Sequence, residues 1–198
     1  MVYYFIYVLK NPQLMAAFAT AMSIGMFLVN LYAPYFLNHF DKKYVGAASA
    51  ICQAICCLGF YFAGSLGLIK TVVVIGFFYG FTNVAGLVSF SLSAEIIDDN
   101  WIRTGIRSDG VIYSCISFST KLGNAIGGSI GILALGAVGF VANTDLSRHT
   151  IKCMNQVINF GPAIFFLIAA VLFVLNGMTN AKGLENEKKL IEMKVVNK

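Results

Sequence analysis

The sequence predicts an all-α membrane protein, a polytopic bundle of helices that crosses a bilayer several times. The first observation is composition: 58% of the residues are hydrophobic and only 12% charged, with a mean hydropathy of +0.77. A soluble domain is about 45–50% apolar and about 25% charged. The second is block length, since the apolar residues come in runs that meet the roughly 20 residues a helix needs to cross a bilayer core of about 30 Å. The third is that the charges gather in short connections between those runs. Backbone polar groups in lipid must be satisfied within the protein, and a helix does this within each segment.

The elements follow in order. The opening "MVYYFIYVL", residues 1–9, is apolar but too short to cross, and reads as the end of a transmembrane helix whose first part is missing. It is not a signal peptide, because neither a basic leader nor a small-residue cleavage site precedes "KNPQ". Five spans then lie at about 14–38, 45–65, 71–96, 110–141 and 156–178. "HFDKKY", "GSLGLIK", "DDNWIRTGIRSD" and "NTDLSRHTIK" connect them. The tail 179–198 is charged and mildly amphipathic, with Leu184, Leu190, Ile191 and Val195 interspersed, and is expected to be a solvated cytoplasmic helix or frayed end.

Basic residues set the orientation. One side holds Lys42, Lys43, Arg103, Arg107, Lys182, Lys188, Lys189, Lys194 and Lys198; the other holds Lys10, Lys70, Arg148 and Lys152. The positive-inside bias makes the first side, and with it the C-terminus, cytoplasmic. The net charge of +5 then reflects basic loops at a cell (plasma or inner) membrane rather than a nucleic-acid partner. Five crossings leave the N-terminus outside without a signal, which is expected of a fragment.

One residue contradicts its surroundings. Counted from Gly110 at 1.5 Å per residue, Lys121 lies about 16 Å deep, near the bilayer middle and beyond snorkelling reach. A charge there costs about 2.5–3.5 kcal/mol on insertion scales and usually faces a bundle interior or an ion or substrate path. Tyr113, Ser117, Lys121 and Asn124, with Gly128, succeed one another at helical spacing and form one polar stripe. Gly123, Gly127 and Gly131 form a second face with two overlapping G-x-x-x-G patterns, suited to close approach by another helix. The alternative for Lys121 is a neutral lysine bonded to carbonyls. No carboxylate of this chain lies at its depth, so its counter-charge is expected from a missing part or another polypeptide.

The other concentration of charge is the loop after the third span. Glu95 and Asp98 lie one turn apart, expected on one face, followed by Asp99, Arg103, Arg107 and Asp109 with Gly105 at the bend. Such a cluster reads equally as a cytoplasmic gate whose ion pairs switch between states or as a solvated loop with positive-inside anchors. Trp101 suits an interfacial aromatic belt. The five cysteines and the isolated His39 and His149 show no ligand spacing, so no metal site is assigned. Four of the cysteines sit in apolar segments as small hydrophobes. No nucleophile–base pair or nucleotide loop suggests an enzyme.

The run "AEIIDDNWIRTGIRSDGVIYSCISFSTKLGNAIGG" resembles the signature of the glycoside–pentoside–hexuronide:cation symporters, the melibiose-permease-like branch of the major facilitator superfamily. Ala94, Asp98, Thr104, Gly105, Arg107, Gly110, Tyr113, Ser114 and Lys121 fit that signature. Arg103 and Asp109 preserve its charges. Glu95 replaces an aspartate, Asp99 a common tyrosine and Trp101 a common glutamate. The resemblance covers nearly the whole chain, as the last six helices of a twelve-helix transporter, the first of them cut short.

The resemblance implies the C-terminal half of a sugar:cation symporter working by alternating access. The absent N-terminal six-helix half would supply the acidic residues that bind Na⁺ or H⁺ and most contacts to a sugar or glycoside. Lys121 and Ser117 would belong to the surroundings of that cation site. No cofactor beyond the coupling cation is implied, and the chain alone is expected not to transport. An inactive remnant of a truncated gene and a membrane interaction subunit using the Gly123–Gly131 face are the other readings.

Overall fold

The computed structural model describes residues 1–141, 144 and 146–196, with side chains through Glu192. Asn143, Asp145 and Lys198 therefore lie outside the described residues, as do the side chains of Lys194 and Val195. Helices are the only regular elements among the described residues. After a π-helical turn, Tyr4–Val8, come α1 (Leu14–His39), α2 (Lys42–Leu66), α3 (Ile69–Phe81), α4 (Ala85–Thr104), α5 (Asp109–Ala137), α6 (Arg148–Leu175) and α7 (Asn180–Val196). Large apolar side chains point outward all round: Leu31, Phe62, Leu133 and Leu172 are each more than half exposed. A surface of that kind needs lipid or a partner to cover it.

By length and composition four stretches can cross a membrane: Leu14–His39, Lys42–Leu66, Ile69–Thr104 and Arg148–Leu175. The span expected at 110–141 forms the single 29-residue helix α5. It is long enough to cross but is not among those four, because Lys121, Asn124 and its glycines dilute the apolar character.

The helices pack through small residues and a few aromatic plugs. Along α2, Ala47, Ala50, Ala54 and Cys57 recur at helical spacing and meet Ala163 and Ala170 of α6, so the two backbones lie close. Cys57, 2% exposed, serves here as a small apolar residue. The opening segment folds back into one end of the bundle. Tyr4 and Phe5 are buried among Phe18, Phe60, Ala63 and Val72, and the Tyr4 hydroxyl donates to the Phe60 carbonyl at 2.6 Å.

α1 and α3 approach each other closely through glycines. A Cβ on Gly80 would overlap the Met22 carbonyl, one on Gly25 would overlap the Phe77 carbonyl, and one on Gly76 would meet the Phe18 ring at 2.6 Å. Gly76 and Gly80 thus form the G-x-x-x-G that packs within this chain. At Gly123, Gly127 and Gly131 an added Cβ meets nothing within 4 Å. Among the described residues, no helix makes the close approach expected there.

The third expected span, 71–96, is interrupted. α3 ends at Phe81 and α4 begins at Ala85, leaving Thr82–Val84 outside regular helix. Non-helical backbone at membrane depth needs partners, and two neighbouring helices supply them. Ser49 of α2, 5% exposed, donates to the Thr82 carbonyl at 2.6 Å and accepts the Val84 and Ala85 N–H groups at 3.2 Å each. Tyr32 of α1 donates its hydroxyl to the Phe81 carbonyl.

Two stability outcomes follow. Gly80→Leu should destabilise the chain by at least about 1–3 kcal/mol, since the backbone beside it cannot yield, whereas Gly127→Leu should change it by less than about 0.5 kcal/mol; thermal unfolding in detergent compares them. Ser49→Ala, which unpairs the Ala85 N–H, should cost about 1–3 kcal/mol by the same measurement. A melting temperature equal to wild type would show that the break is held some other way.

Candidate functional site

The charged residues of the α4–α5 region sort into two clusters. Glu95 and Asp99, four residues apart on α4, make their contacts with α2 and α7, whereas Asp98 lines a cavity with residues of the following loop and α5. Glu95 Oε1 forms an ion pair with Lys42 Nζ at the start of α2, both side chains less than a fifth exposed. Asp99 Oδ1 takes Lys182 Nζ at 3.1 Å and the Asn186 amide at 3.1 Å, and Arg103 stands 4.0 Å from Asp99 Oδ2.

Lys182 and Asn186 belong to α7, so the expected solvated tail is instead docked along the end of α4. Several features fix it. The Asn180 N–H donates to Asp41 Oδ1 at 2.9 Å, and its amide donates to the Phe40 carbonyl at 2.8 Å. Met178, 4% exposed, fills an apolar cluster with Val29, Ala33, Val84, Val88 and Leu92. Gly183 lets the tail pass the Glu95 carboxylate, which a Cβ would meet at 3.0 Å. Only the outer face is solvated; there Lys189 pairs with Glu185 at 2.5 Å, and that hydrogen bond holds the Glu185 carboxyl below its ordinary range.

The second cluster faces α5. Asp98, Arg107, Asp109 and Tyr113, with Ala94 and Ile97, line a cavity of about 140 Å³. Gly105, at φ 71°, ends α4 in the left-handed conformation and turns the chain back. Arg107 Nε then donates to Asp109 Oδ2 at 2.7 Å, and its guanidinium lies over the Trp101 ring, 5.0 Å from the centroid. The hydrogen bond and charge of Asp109 raise the already high Arg107 pKa further. Trp101 is therefore a platform for Arg107, a role its interfacial position did not suggest.

The stripe on α5 is a third group, and it is uncovered. Tyr113, Ser117, Lys121 and Asn124 are exposed, and Leu135 is the only buried residue on that helix. Among the described residues Lys121 has no carboxylate in ion-pair reach. Polar groups that sequence reasoning passed over are buried elsewhere. Gln53 lies one turn after Ser49 on α2, 2% exposed, with its Nε2 unpartnered among the described residues. Asn155 bridges α6 to α2, donating to the Tyr61 carbonyl and Ser65 Oγ at 3.0 Å each, and buried Asn159 donates to it within α6. Polar residues four apart in apolar runs, as in "SAICQ" and "NQVIN", are the signal that could have marked them.

Membrane-length helices, one of them broken and held by neighbouring side chains, together with a polar stripe and a charged end, describe a polytopic membrane protein. The profile described as MFS/sugar transport protein matches residues 1–179. The chain belongs to this sugar-transport family of the major facilitator superfamily.

Its relatives are transporters. An Escherichia coli (strain K12) protein provisionally named a sulfoquinovose importer is 29% identical over 97% of this chain and 42% of its own length. The isoprimeverose transporter of Lactiplantibacillus pentosus is 27% identical over 86% and 36%. The glucuronide carrier protein homolog of Escherichia coli (strain K12) is 33% identical over 52% and 24%. The chain spans less than half the length of these relatives. No solved structure matches it at comparable significance.

The Lys42–Glu95 pair is directly testable. Lys42→Met, which strands a half-buried carboxylate, should cost about 1.5–3 kcal/mol of stability, and Lys42→Met with Glu95→Met should recover most of it. Strictly additive losses across this double-mutant cycle would show that the two side chains are not coupled.

Proposed function

We propose that this chain is the C-terminal half of a secondary-active sugar:cation symporter that works by alternating access against an N-terminal six-helix half. The observation that carries the reading is the uncovered α5 stripe in a chain of this family. Lys121 has no carboxylate partner among the described residues, and the adjacent glycine face is open. Both are what a surface awaiting a second bundle presents. Tyr113, Ser117, Lys121 and Asn124 then border the cation and substrate path, with Na⁺ or H⁺ held by carboxylates of the other half. The names of the relatives, among them an isoprimeverose transporter, support a sugar or glycoside as cargo. The basic end formed by Lys42, Lys43, Arg103, Arg107 and Lys182 faces the cytoplasm, with the C-terminus. The Glu95–Asp109 region acts there as a gate, whose pairs to Lys42 and Lys182 hold one state and part in the other.

The open Gly123–Gly131 face also suits a membrane interaction subunit, and an inactive remnant would carry the same stripe without using it. Cation-driven uptake of a sugar panel separates the three. The chain alone should not accumulate sugar. Co-expressed with an N-terminal half, it should accumulate sugar down a Na⁺ or H⁺ gradient, and Lys121→Ala should abolish or uncouple that uptake. Uptake indifferent to Lys121 would remove the lysine from the coupling site, and no uptake with any N-terminal half would favour the remnant.

A further inference from the structure

Away from the charged clusters, a cavity of about 480 Å³ opens where the end of α2 meets the start of α6. Among apolar lining from Val8, Gly64 and Ile151 it gathers a group of polar and cationic side chains: Tyr61 and Ser65 of α2, and Arg148, Lys152, Asn155 and Gln156 of α6. Asn155, 3% exposed, fixes the floor through its bonds to the Tyr61 carbonyl and Ser65 Oγ, and Asn159 holds it in turn at 2.8 Å. Among the described residues, neither Arg148 nor Lys152 has a carboxylate in ion-pair reach. The cavity therefore gathers two cations and two amides, and no anion among the described residues.

The surface leading away from it is apolar. Lys152, Gln156, Phe160 and Ile164 follow one another at i+4 along one ridge of α6, passing from a cation through an amide to an aromatic and an aliphatic side chain. Phe160 packs against Tyr61, ring centroids 4.7 Å apart, and remains 38% exposed, while Ile164 is 58% exposed. Arg148 opens the membrane-length helix α6, so this cavity sits at interface depth and the ridge descends into the hydrocarbon. A charged head beside a cationic cavity, continuous with a greasy ridge, is the outline of an anionic phospholipid.

We propose that this cavity binds the phosphate of an anionic phospholipid, with Arg148 and Lys152 as counter-charges, Gln156 as a hydrogen-bond donor and the Phe160–Ile164 ridge as the seat of an acyl chain. The inference does not depend on the proposed transport activity. It also explains two cations on the side that the positive-inside bias leaves poor in them.

The test is native mass spectrometry of the purified full chain with equimolar phosphatidylglycerol and phosphatidylcholine of matched acyl chains. Phosphatidylglycerol should be retained on the order of tenfold more strongly. Arg148→Gln with Lys152→Gln should bring the two lipids to parity, and Lys70→Gln, at the same end but outside the cavity, should leave the preference intact. Equal retention by the unaltered chain, or a preference that survives the double substitution, overturns the proposal. Displacement of the lipid by glycerol 3-phosphate at equal concentration would show a free-phosphate site and overturn the lipid assignment. Should the double variant not fold, Phe160→Trp provides a second reading. Its fluorescence should be quenched more by brominated-chain phosphatidylglycerol than by brominated-chain phosphatidylcholine, and equal quenching overturns the seat on the ridge.

Discussion

The fold turns on how a few backbone groups between Phe81 and Ala85 are satisfied. An interruption in a membrane helix exposes carbonyls and N–H groups that lipid cannot solvate. Ser49 takes two donors and fills one acceptor there, and Tyr32 fills another. These bonds tie α1 and α2 to the junction of α3 and α4. They also set the direction in which α4 leaves the break, and so where Glu95, Asp98 and Asp99 emerge at the charged end. Gly25, Gly76 and Gly80 serve the same junction by letting α1 and α3 close on each other beside it.

Downstream, charge arrangement follows from helix direction. Glu95 and Asp99 meet Lys42, Lys182 and Asn186, joining the α1–α2 turn and the tail into one assembly. Asp98 looks instead toward Arg107, Asp109 and Tyr113 at the root of α5. A movement of α4 would disturb both clusters together, because their carboxylates share one rigid helix.

α5 differs from the rest. It carries the polar stripe and the open glycine face, touches its neighbours near its ends, and offers the bundle a single buried residue, Leu135. Tyr3 and Tyr7 clasp Phe140 just beyond it, with ring centroids 5.0 and 5.1 Å apart. The polar groups and the glycines of α5 lie on surface that no described helix of this chain covers. The α2–α6 seam is the opposite case, closed by alanines and bonded asparagines.

Much of this was legible in the sequence. Block hydrophobicity marked the membrane helices, the partition of lysines and arginines separated the two ends, and the run around Asp98, Arg107 and Lys121 carried the family resemblance. These properties are local or additive, so a one-dimensional reading captures them. The break at Thr82–Val84, the choice of Gly76 and Gly80 over Gly123–Gly131 for close packing, the separation of Asp98 from Glu95 and the docking of the tail were decided by tertiary structure. Each depends on a partner far away in the chain: Ser49 and Tyr32 for the break, Met22 for Gly80, Lys42 for Glu95, Lys182 for Asp99. Hydropathy and helical period carry no information about which distant donor, acceptor or backbone will arrive beside a given residue.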